Sequence, residues 1–337
     1  MSPPRGVLLI QLGTPDAPRP REVRRYLREF LSDPRVIDLP AASRTLLLEG
    51  VILPTRPRTS AAAYAKIWTD AGSPLLVHSE ALRDALQQRL GGDHAVALGM
   101  RYGRPSLADA LRRLEERGVR ELTALPLFPQ YASSSTGSAL EALFATPAAG
   151  RLARIETIGP FYDDPGFIAA WRDVAAARLD DFDADHVLFS YHGLPERQIR
   201  AADPSGSHCL ARADCCEPMR DAARHCYRAQ CYATTAALVD ALGLGEAKTS
   251  TSFQSRLGRT PWIRPFTDLV LPELAERGVR RLAVLCPSFV ADCLETLEEI
   301  GIRARAQWEG LGGAELRLIP CPNAHPTFVG AVATWVR

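Results

Sequence analysis

Short apolar runs alternate with polar turns and amphipathic stretches along most of this chain. The apolar segment 6–13 stops at Thr14-Pro15-Asp16, and the stretch 22–31 that follows has its apolar residues at helical spacing. Further strand-like runs lie at 95–100, 118–127, 187–189, 248–253 and 281–286. Further helices are predicted from Ser106 to Arg117, over 168–179 and up to Gly243. Strands that alternate with helices in this way predict mostly parallel sheets covered by helices on both faces.

One pattern occurs twice, which indicates two similar halves. Residues 116–122 and 275–282 both contain the end of a helix, a glycine and the start of a buried strand. A chain of 337 residues is also too long for one typical core. We therefore predict an α/β protein of two Rossmann-like domains, residues 1–165 and 166–337. The ligand is expected in the cleft between them, at the carboxyl ends of the strands.

Composition and charge narrow the class of protein. Hydrophobic residues make up 46% of the sequence and charged residues 23%, as in ordinary soluble domains. The formal net charge of +1 offers no broad basic surface, so no nucleic-acid partner is predicted. Apolar runs are too short to cross a bilayer and the first residues lack the features of a secretory signal, so a cytoplasmic location is expected. Neither a Gly-x-Gly-x-x-Gly fingerprint nor a P-loop follows the first strand, which argues against nucleotide cofactors.

Segment 41–55 is apolar and carries little charge, and it has two interpretations. A buried helix would account for its leucine, valine and isoleucine residues. An exposed apolar lip, over a pocket for a flat ligand or against a membrane surface, would account for them equally well. The second interpretation adds a peripheral membrane contact to the expected cytoplasmic location.

A histidine follows the apolar run at 187–189 and precedes a break in the pattern. The sequence there is Ser190-Tyr191-His192-Gly193-Leu194-Pro195. Open α/β sheets bind ligands at the carboxyl ends of their strands, and imidazole is the side chain best suited to moving protons or binding a metal near neutral pH. A lone histidine at the end of a strand is also compatible with a purely structural role.

An acidic segment further along the chain gives this histidine a candidate partner. Glu295 and Glu299 are four residues apart, so one face of a helix would present them together, with Glu298 close beside them. A structural role is the alternative, because Asp292 and Glu295 have the spacing of a capping box. In the functional interpretation the acidic face lies opposite His192. The two groups would then take protons off a substrate or transfer a divalent cation to nitrogen ligands.

Several motifs follow one another in a recognisable order along nearly the whole sequence. They are the segments 11–15, 30–33, 72–75, 99–103, 126–131, 190–195, 253–258, 261–262 and 292–300. In these segments the chain resembles the ferrochelatases, the family that inserts Fe(II) into a porphyrin at the end of haem synthesis. The resemblance implies an enzyme, a metal-inserting lyase of haem and porphyrin biosynthesis, with Fe(II) and protoporphyrin IX as substrates.

The resemblance also implies roles for individual residues. His192 corresponds to the family's essential histidine and is the expected proton acceptor. Glu295 corresponds to the acidic partner on the opposite face of the porphyrin, and Glu299 to the next acid along the same helix. Glu298 joins Glu299 on the expected metal pathway. The positions expected to bind or lie near the porphyrin are Arg101, Tyr102, Arg56, Tyr64, Ser73, Trp262, Gln254 and Ser255.

Five of the eight cysteines fall within the segment 205–231, which is expected to be an insertion. In a reducing compartment such a local crowd of thiols indicates a metal more than disulfides, and tetrahedral zinc and free thiols stay open as alternatives. Some ferrochelatases carry a [2Fe–2S] cluster, with ligands in a C-terminal extension or in an internal segment. This sequence ends at Arg337 without that extension and has Ser133 where the extended type has a cysteine. The resemblance therefore favours the internal arrangement.

Four thiolates hold a [2Fe–2S] cluster, and five are available. The candidates are Cys209, Cys215, Cys216, Cys226 and Cys231. Cys209, Cys226 and Cys231 are expected as ligands together with one of the remaining pair, because adjacent residues rarely serve the same small cluster. The expected role is structural or redox-sensing, since insertion of a metal into a porphyrin involves no net electron transfer.

Three functions are compatible with the sequence. The first is a protoporphyrin ferrochelatase, and the second is a relative of the same fold that uses coproporphyrin or inserts cobalt. The third is a non-catalytic haem or tetrapyrrole carrier with a cluster-based sensor. Segment 41–55 favours protoporphyrin, because the four propionates of coproporphyrin would require more cationic partners than Arg56 and Arg58.

Overall fold

The computed structural model describes residues 3–212, 214–216, 223–258 and 260–337. Residue 213 and residues 217–222 of the predicted insertion therefore lie outside the described residues. None of the described helices combines the length and apolar character that crossing a membrane would require.

Internal contacts divide the chain into two units. The first consists of Met1–Phe128, Ala132–Gly159 and Val329–Arg337, and the second consists of Pro129–Tyr131 and Pro160–Phe328. The main change of unit, between residues 159 and 160, lies near the domain limit that the sequence predicts. The end of the chain belongs to the first unit.

The first unit contains a four-stranded parallel sheet in its described residues, with the order β2-β1-β3-β4. Its strands are β1 (Arg5–Thr14), β2 (His94–Gly103), β3 (Glu121–Pro126) and β4 (Arg154–Thr157). Its helices are α1 (Pro20–Ser32), α2 (Ala41–Leu47), α3 (Leu53–Ile67), α4 (Pro74–Leu90), α5 (Leu107–Glu116) and α6 (Ser138–Ala145). Leu48–Ile52 and Ser133–Gly137 are π-helical, and Ala149–Arg151 is a short 3₁₀ turn.

The second unit repeats this arrangement in its described residues, with a parallel sheet in the order β6-β5-β7-β8. Its strands are β5 (His186–His192), β6 (Thr249–Gln254), β7 (Arg281–Leu285) and β8 (Glu315–Leu318). Its helices are α7 (Pro165–Leu179), α8 (Glu196–Ala201), α9 (Tyr227–Ala241), α10 (Thr267–Glu276) and α11 (Arg305–Gly310), and α12 (Pro326–Trp335) ends the chain. Glu295–Ala304 is π-helical, and Glu246–Lys248 is a 3₁₀ turn.

The predicted fold class is confirmed, and the sequence explains why these segments become central strands. β1 and β5 each pair with a strand on both sides. A central parallel strand is covered on both faces by helices, so it needs a continuous apolar run instead of an alternating one. Residues 7–10 of β1 are fully buried, and residues 187–189 of β5 are almost completely so.

The helix–glycine–strand pattern that occurs twice in the sequence has the same backbone structure in both units. Gly118 follows α5 with φ 80°, and Gly278 follows α10 with φ 85°. The next residue closes the helix in each case, since Val119 N donates to Leu114 O and Val279 N donates to Leu274 O, both at 3.1 Å. Glycine is favoured at this position because a left-handed backbone brings a side chain's Cβ too close to its own carbonyl.

Candidate active site

β5 carries the candidate histidine at its last position. His192 is half-buried, and its Nδ1 lies 2.6 Å from the carbonyl oxygen of Gly193. A carbonyl oxygen can only accept a hydrogen bond, so in the neutral imidazole this contact places the proton on Nδ1 and the lone pair on Nε2. The tautomer is the one that a proton acceptor at Nε2 requires.

Two side chains that sequence reasoning missed hold the main chain of His192. The hydroxyl of Tyr227 donates to the carbonyl oxygen of His192 at 2.7 Å, and Ser288 Oγ accepts from its amide at 3.1 Å. The two hydroxyl oxygens are themselves 3.0 Å apart. In the sequence, Tyr227 is marked only by its place directly after Cys226, which indicates nothing about a contact with His192.

Gln254 connects the strand of His192 to the acidic helix. It pairs with His192 in the β5–β6 register, and its carbonyl oxygen accepts from the amide of Gly193 at 2.8 Å. Its side chain is 3% exposed, with Oε1 accepting from Ser190 Oγ at 2.7 Å and Nε2 donating to the main-chain oxygen of Glu295 at 2.9 Å. One buried glutamine thus contacts both segments, that of His192 through its main chain and that of Glu295 through its side chain.

The acidic helix is a π-helix, whereas the sequence predicts an ordinary helix there. Glu295 is its first residue and is half-buried. The carboxylate of Glu299 accepts from both the amide and the hydroxyl of Ser255, a residue with φ 68°. Glu298 is 3% exposed, and its carboxylate accepts from Arg303 Nε at 2.7 Å. The three acids therefore differ in access, and Glu298 is the most enclosed.

Asp292 does not form the capping box that its spacing to Glu295 suggests. Its carboxylate accepts from the hydroxyl of Thr296 at 3.1 Å and from the amide of Cys321 at 3.2 Å. The side-chain amide of Asn323 donates to it at 2.8 Å. Asp292 therefore ties the start of the π-helix to the segment after β8.

Trp262 lies beside the residue that follows the histidine. It forms an isolated β-bridge with Pro195, and its indole nitrogen donates to the carbonyl oxygen of Leu257 at 2.8 Å. A Cβ on Gly193 would lie 3.3 Å from the indole ring and 2.8 Å from the carbonyl oxygen of Gln254. Gly193 is therefore required where this loop packs closely against β6.

Arg101 and Tyr102 lie in the first unit, at the end of β2, in a buried hydrogen-bond network. The carboxylate of Asp33 accepts from Arg101 Nη2 at 2.6 Å, from the hydroxyl of Tyr102 at 2.8 Å and from Ser138 Oγ at 2.5 Å. Burial acts to raise the pKa of Asp33, but the hydrogen bonds from Ser138, the amide of Arg35 and Tyr102 outweigh it and lower the pKa. Asp33 is therefore held as a carboxylate, and sequence reasoning did not assign it a role.

The remaining first-unit candidates differ in exposure. Ser73 is 3% exposed, and its hydroxyl accepts from Thr14 at 2.8 Å at the end of β1. Tyr64 is 8% exposed and packs edge-on against Trp68. Arg56 lies on α3 and is exposed.

Segment 41–55 is neither wholly buried nor wholly exposed. Leu48 and Leu53 are buried, at 3% and 1% exposure. Leu46 and Val51 keep 74% and 56% of their surface exposed. The segment is therefore anchored by two apolar side chains and presents two others outward.

Four cysteines of the insertion contact one another. The Sγ atoms of Cys215 and Cys216 are 3.8 Å apart. Cys226 hydrogen-bonds with both Cys216 and Cys209. We call Cys209, Cys215, Cys216 and Cys226 the thiol group, and all four are buried.

The fifth cysteine, Cys231, lies one turn along α9 and hydrogen-bonds with Tyr227. This grouping differs from the expected ligand set, which includes Cys231 and only one of Cys215 and Cys216. Within the described residues, no group of three or more histidine, cysteine, aspartate or glutamate side chains is arranged to hold a single metal ion. The ligand set therefore stays a prediction.

Hydrogen bonds and charge favour a thiolate within the thiol group. The hydrogen bond from Cys216 lowers the pKa of Cys226 to about 6, and the same bond raises the pKa of Cys216. The guanidinium of Arg228 lies 3.1 Å from Cys216 Sγ. The loop that carries Cys209 is fixed by Asp203, whose carboxylate accepts hydrogen bonds from the amides of His208 and Cys209, each at 2.8 Å.

A cavity of about 750 Å³ in the second unit is separate from these residues. Residues of α7, the π-helix, α11 and β8 line it, and they include Asp292 and Leu297 but neither His192 nor Glu295. The cavity therefore lies on another side of the acidic helix from the candidate proton acceptor.

Two solved structures share the fold at low identity. SirB from Bacillus subtilis with Fe³⁺ matches with a TM-score of 0.54 and 11% identity, over 99% of this chain and 94% of that one. DR2241 from Deinococcus radiodurans, a multi-domain protein with structural similarity to chelatases, matches with a TM-score of 0.52 and 15% identity, over 99% of this chain and 55% of that one. These likenesses show the fold alone.

Sequence comparisons identify the family. A ferrochelatase of Coxiella burnetii (strain Dugway 5J108-111) is 49% identical over 328 residues, which cover 97% of this chain and 92% of that protein. A ferrochelatase of Legionella pneumophila (strain Lens) is 50% identical over 334 residues, 98% of each chain. The family model described as Ferrochelatase matches residues 4–337. With a match across nearly its whole length and relatives that are half identical, this chain belongs to the ferrochelatase family.

Proposed function

We propose that this protein inserts Fe(II) into protoporphyrin IX to give protohaem, the terminal step of haem biosynthesis. Membership of the ferrochelatase family supports the reaction. The observation that carries the proposal is the arrangement around Gln254, whose main chain pairs with His192 and whose side chain binds the main chain of Glu295. A proton acceptor and a carboxylate are thereby available on two neighbouring elements of one unit.

The reaction must release two protons for each haem that forms, because one Fe²⁺ replaces two pyrrole protons. We assign His192 Nε2 as the proton acceptor, since the contact with the Gly193 carbonyl keeps the ring's own proton on Nδ1. An imidazole can accept a proton near neutral pH and release it to water. Glu295 supplies the carboxylate that the family resemblance assigns to the other face of the macrocycle.

The next acids along the π-helix are the proposed metal pathway, and their contacts give them unequal shares. The carboxylate of Glu299 is half-buried and bound by Ser255, whose hydroxyl can reorient. Glu298 is buried, and its carboxylate lies 2.7 Å from Arg303, whereas that of Glu299 lies 3.9 Å from the same guanidinium, so binding a cation at Glu298 would break the closer of the two ion pairs. We therefore assign the larger share of the pathway to Glu299.

The proposed porphyrin-binding set consists of residues that would touch the macrocycle and residues that would support the wall around it. Arg56, Tyr64 and Trp262 are proposed to touch the macrocycle. The others would support the wall, because their polar groups are already engaged inside the protein: Arg101, Tyr102, Ser73, Gln254 and Ser255. Binding that bends the flat ring would expose the lone pairs of its nitrogen atoms to the metal.

Metal insertion assayed side by side with two porphyrins and three metals tests the function. Protoporphyrin and coproporphyrin are offered with Fe(II), Co(II) and Zn(II), and product is followed by absorbance. Turnover with Fe(II) should be higher for protoporphyrin than for coproporphyrin, because the exposed side chains of Leu46 and Val51 suit the less charged ring. Higher turnover with coproporphyrin, or with cobalt alone, would replace the proposed substrates. Tight porphyrin binding without turnover would indicate a carrier.

We also propose a peripheral membrane contact through segment 41–55. Leu46 and Val51 present apolar surface outward, and Arg56 and Arg58 follow on α3, a combination that suits an anionic lipid surface. Co-sedimentation with anionic vesicles should weaken in a Leu46→Ser, Val51→Ser double variant. Equal binding by the variant and the wild type would reject the contact.

The thiol group is proposed to hold a [2Fe–2S] cluster, and its chemistry fits. Four buried thiols are available, one of them with a lowered pKa, and an arginine lies beside two of them. A [2Fe–2S] cluster contains two iron atoms, so four thiolates that would hold it need not surround one common point, as the ligands of a single zinc ion must. We therefore propose Cys209, Cys215, Cys216 and Cys226 as ligands. When bound, the cluster would supply a structural or redox-sensing centre, and metal insertion needs no electrons from it.

Anaerobic purification tests the cluster. Visible absorbance typical of a [2Fe–2S] centre is expected in the wild type and should be lost in a Cys215→Ser variant. A Cys231→Ser variant should keep its colour, because Cys231 lies outside the thiol group. A colourless wild type that holds stoichiometric zinc would assign the site to zinc. Loss of colour in Cys231→Ser with retention in Cys215→Ser would restore the ligand set expected from the sequence.

A further inference from the structure

We propose that Tyr227 is a positioning residue that fixes the main chain of His192 and couples it to the thiol group. The inference rests on the proposed role of His192 in proton transfer. Tyr227 stands between Cys226, a member of the thiol group, and Arg228, whose guanidinium contacts Cys216. Its own hydroxyl reaches the end of β5 instead.

The end of β5 needs this support because the strand has lost one of its neighbours there. The β5–β7 ladder ends at the pair Phe189 and Leu285, whereas the β5–β6 ladder continues to His192. On the side where β7 is missing, the carbonyl oxygen of His192 accepts from Tyr227 and its amide donates to Ser288. Two side-chain hydroxyls therefore replace the missing strand.

The thiol group fixes the other side of Tyr227. Cys226 is the N-terminal cap residue of α9, and its sulfur hydrogen-bonds with two other thiols of the group. Arg228 Nη1 lies 3.1 Å from Cys216 Sγ. Tyr227 is 6% exposed, so packing leaves its ring little freedom to move independently of the helix. A change in the thiol group therefore shifts the first turn of α9, and Tyr227 carries that shift to His192.

Tyr227 touches no reacting atom in this arrangement, which sets the kinetic expectation. A residue that only orients the proton acceptor should affect kcat and leave the KM for porphyrin unchanged. Tyr227→Phe keeps the ring and removes the hydroxyl, and we expect kcat to fall about tenfold. Tyr191→Phe is the matched control, because it removes a buried hydroxyl next to His192 that bonds to Thr235. The control should change kcat less than twofold.

Hydrogen exchange of the His192 amide tests positioning without any turnover. Loss of the Tyr227 hydroxyl should speed exchange of this amide about tenfold, since it loosens the Tyr227–Ser288 pair that holds it. Ser288→Ala, which removes the acceptor itself, should raise the rate at least as much, and Tyr191→Phe should leave it unchanged. Unchanged exchange in both Tyr227→Phe and Ser288→Ala would overturn the positioning role.

A double-mutant cycle tests the coupling. Cys216→Ser alters the thiol group at a residue that does not touch His192, and it should still speed exchange of the His192 amide. In a Cys216→Ser, Tyr227→Phe double variant the rate should equal that of Tyr227→Phe alone, because the path is already broken. Additive effects on the exchange rate, or no effect of Cys216→Ser, would overturn the coupling.

These readouts separate the inference from the proposed function. Exchange rates are measured on the protein alone, so they answer the structural question even if the wild type inserts no iron. If the wild type shows no turnover but the exchange rates change as expected, the proposed enzymatic function is rejected and the coupling of Tyr227 to the thiol group is kept. If turnover is normal but the variants leave the exchange rate of the His192 amide unchanged, the coupling is rejected and the enzymatic function is kept.

Discussion

The two units share a scaffold down to details of backbone geometry. Both sheets have the same strand order, and a cis Arg-Pro bond follows the corresponding edge strand in each, at Arg104-Pro105 and Arg264-Pro265. The carbonyl of each proline accepts from its strand, Pro105 O from Met100 N at 2.6 Å and Pro265 O from Phe253 N at 2.8 Å. A π-helix follows β3 in the first unit and β7, the equivalent strand, in the second.

The units differ in what stands at equivalent positions of this scaffold. β1 ends at Thr14, bonded to a serine, whereas its counterpart β5 ends at His192. The π-helix that follows β3, Ser133–Gly137, reads Ser-Ser-Ser-Thr-Gly, and the one that follows β7 begins with Glu295 and carries three acids. Asp33, a buried acid of the first unit, is enclosed by hydrogen-bond donors. One scaffold therefore occurs twice, and the proposed proton acceptor and its carboxylate partner both lie in the second copy.

Replacing the residues at the two equivalent strand ends in turn should have the largest effect. His192→Ala should lower kcat for metal insertion about a thousandfold, equivalent to about 4 kcal/mol, because a positioned proton acceptor is lost. Porphyrin binding, followed by fluorescence quenching, should be largely kept. Thr14→Val is the matched control and should lower kcat less than tenfold. Equal loss of binding and turnover in His192→Ala would contradict the proton-acceptor assignment.

Asp33→Asn tests whether the buried carboxylate of Asp33 stabilises the fold or takes part in the chemistry. The amide cannot accept all the donors that converge on the carboxylate, so the free energy of unfolding should fall by about 3 kcal/mol. Urea denaturation measures the change. Asp183→Asn, at a side chain that is 99% exposed, is the control and should leave stability within about 0.5 kcal/mol of the wild type. A loss of kcat with unchanged stability would assign Asp33 to the chemistry instead.

The two π-helices can be compared by matched truncation of their polar side chains. Glu295→Gln keeps the shape of the side chain and should lower kcat about a hundredfold, or about 2.7 kcal/mol. Ser133→Ala in the first unit removes a contact to Arg35 and should change kcat less than threefold. Similar effects of the two substitutions on metal-insertion rate would mean that the chemistry is shared between the units.

The first residues of the two central strands predict different responses to acid. Burial lowers the pKa of His186 to about 4, whereas β1 begins with Arg5 in place of a histidine. Between pH 4 and 6.5 the unfolded chain binds more protons at His186 than the folded protein, so stability should rise with pH. The contribution from pH 5 to pH 7 is about 2 kcal/mol. Urea curves at both values should show this difference reduced in His186→Gln, but not in the exposed control His225→Gln.

The smallest expected effect tests how closely the two backbones correspond. Gly118→Ala and Gly278→Ala place a side chain in the left-handed region, and no atom lies within 4 Å of either new Cβ. Only backbone strain should therefore matter, at about 1 kcal/mol in each case. Thermal unfolding of the two variants should give nearly equal shifts. A difference of more than 1 kcal/mol would show that the two turns are not equivalent.

Central strands and the repeated glycine turn were accessible from the sequence because burial on both faces leaves a continuous apolar run. The edge strands β4 and β8 were not predicted. Arg154–Thr157 and Glu315–Leu318 are only four residues long, so their pairing depends on the rest of the sheet. Strand periodicity carries no signal in so short a segment.

Side-chain partnerships were the part of the site that the sequence could not supply. His192 and Glu295 stood out by their chemistry, but the role of Gln254 as the link between them depends on strand register. Tyr227 and Ser288 bind the main chain of His192, a contact with no sequence pattern. The grouping of Cys215 with Cys216 depends on a turn that lets neighbouring residues face the same way.

The ten-residue π-helix at Glu295–Ala304 makes this segment unusually sensitive to changes of length. A π-helix carries extra chain in each turn compared with an α-helix, so loss of one residue allows the segment to rewind into the more stable form. Excision of Leu297 would thus preserve every acidic group in the protein and still point Glu298 and Glu299 in new directions. We therefore expect insertions and deletions to be rarer than point changes in this stretch among relatives of the protein.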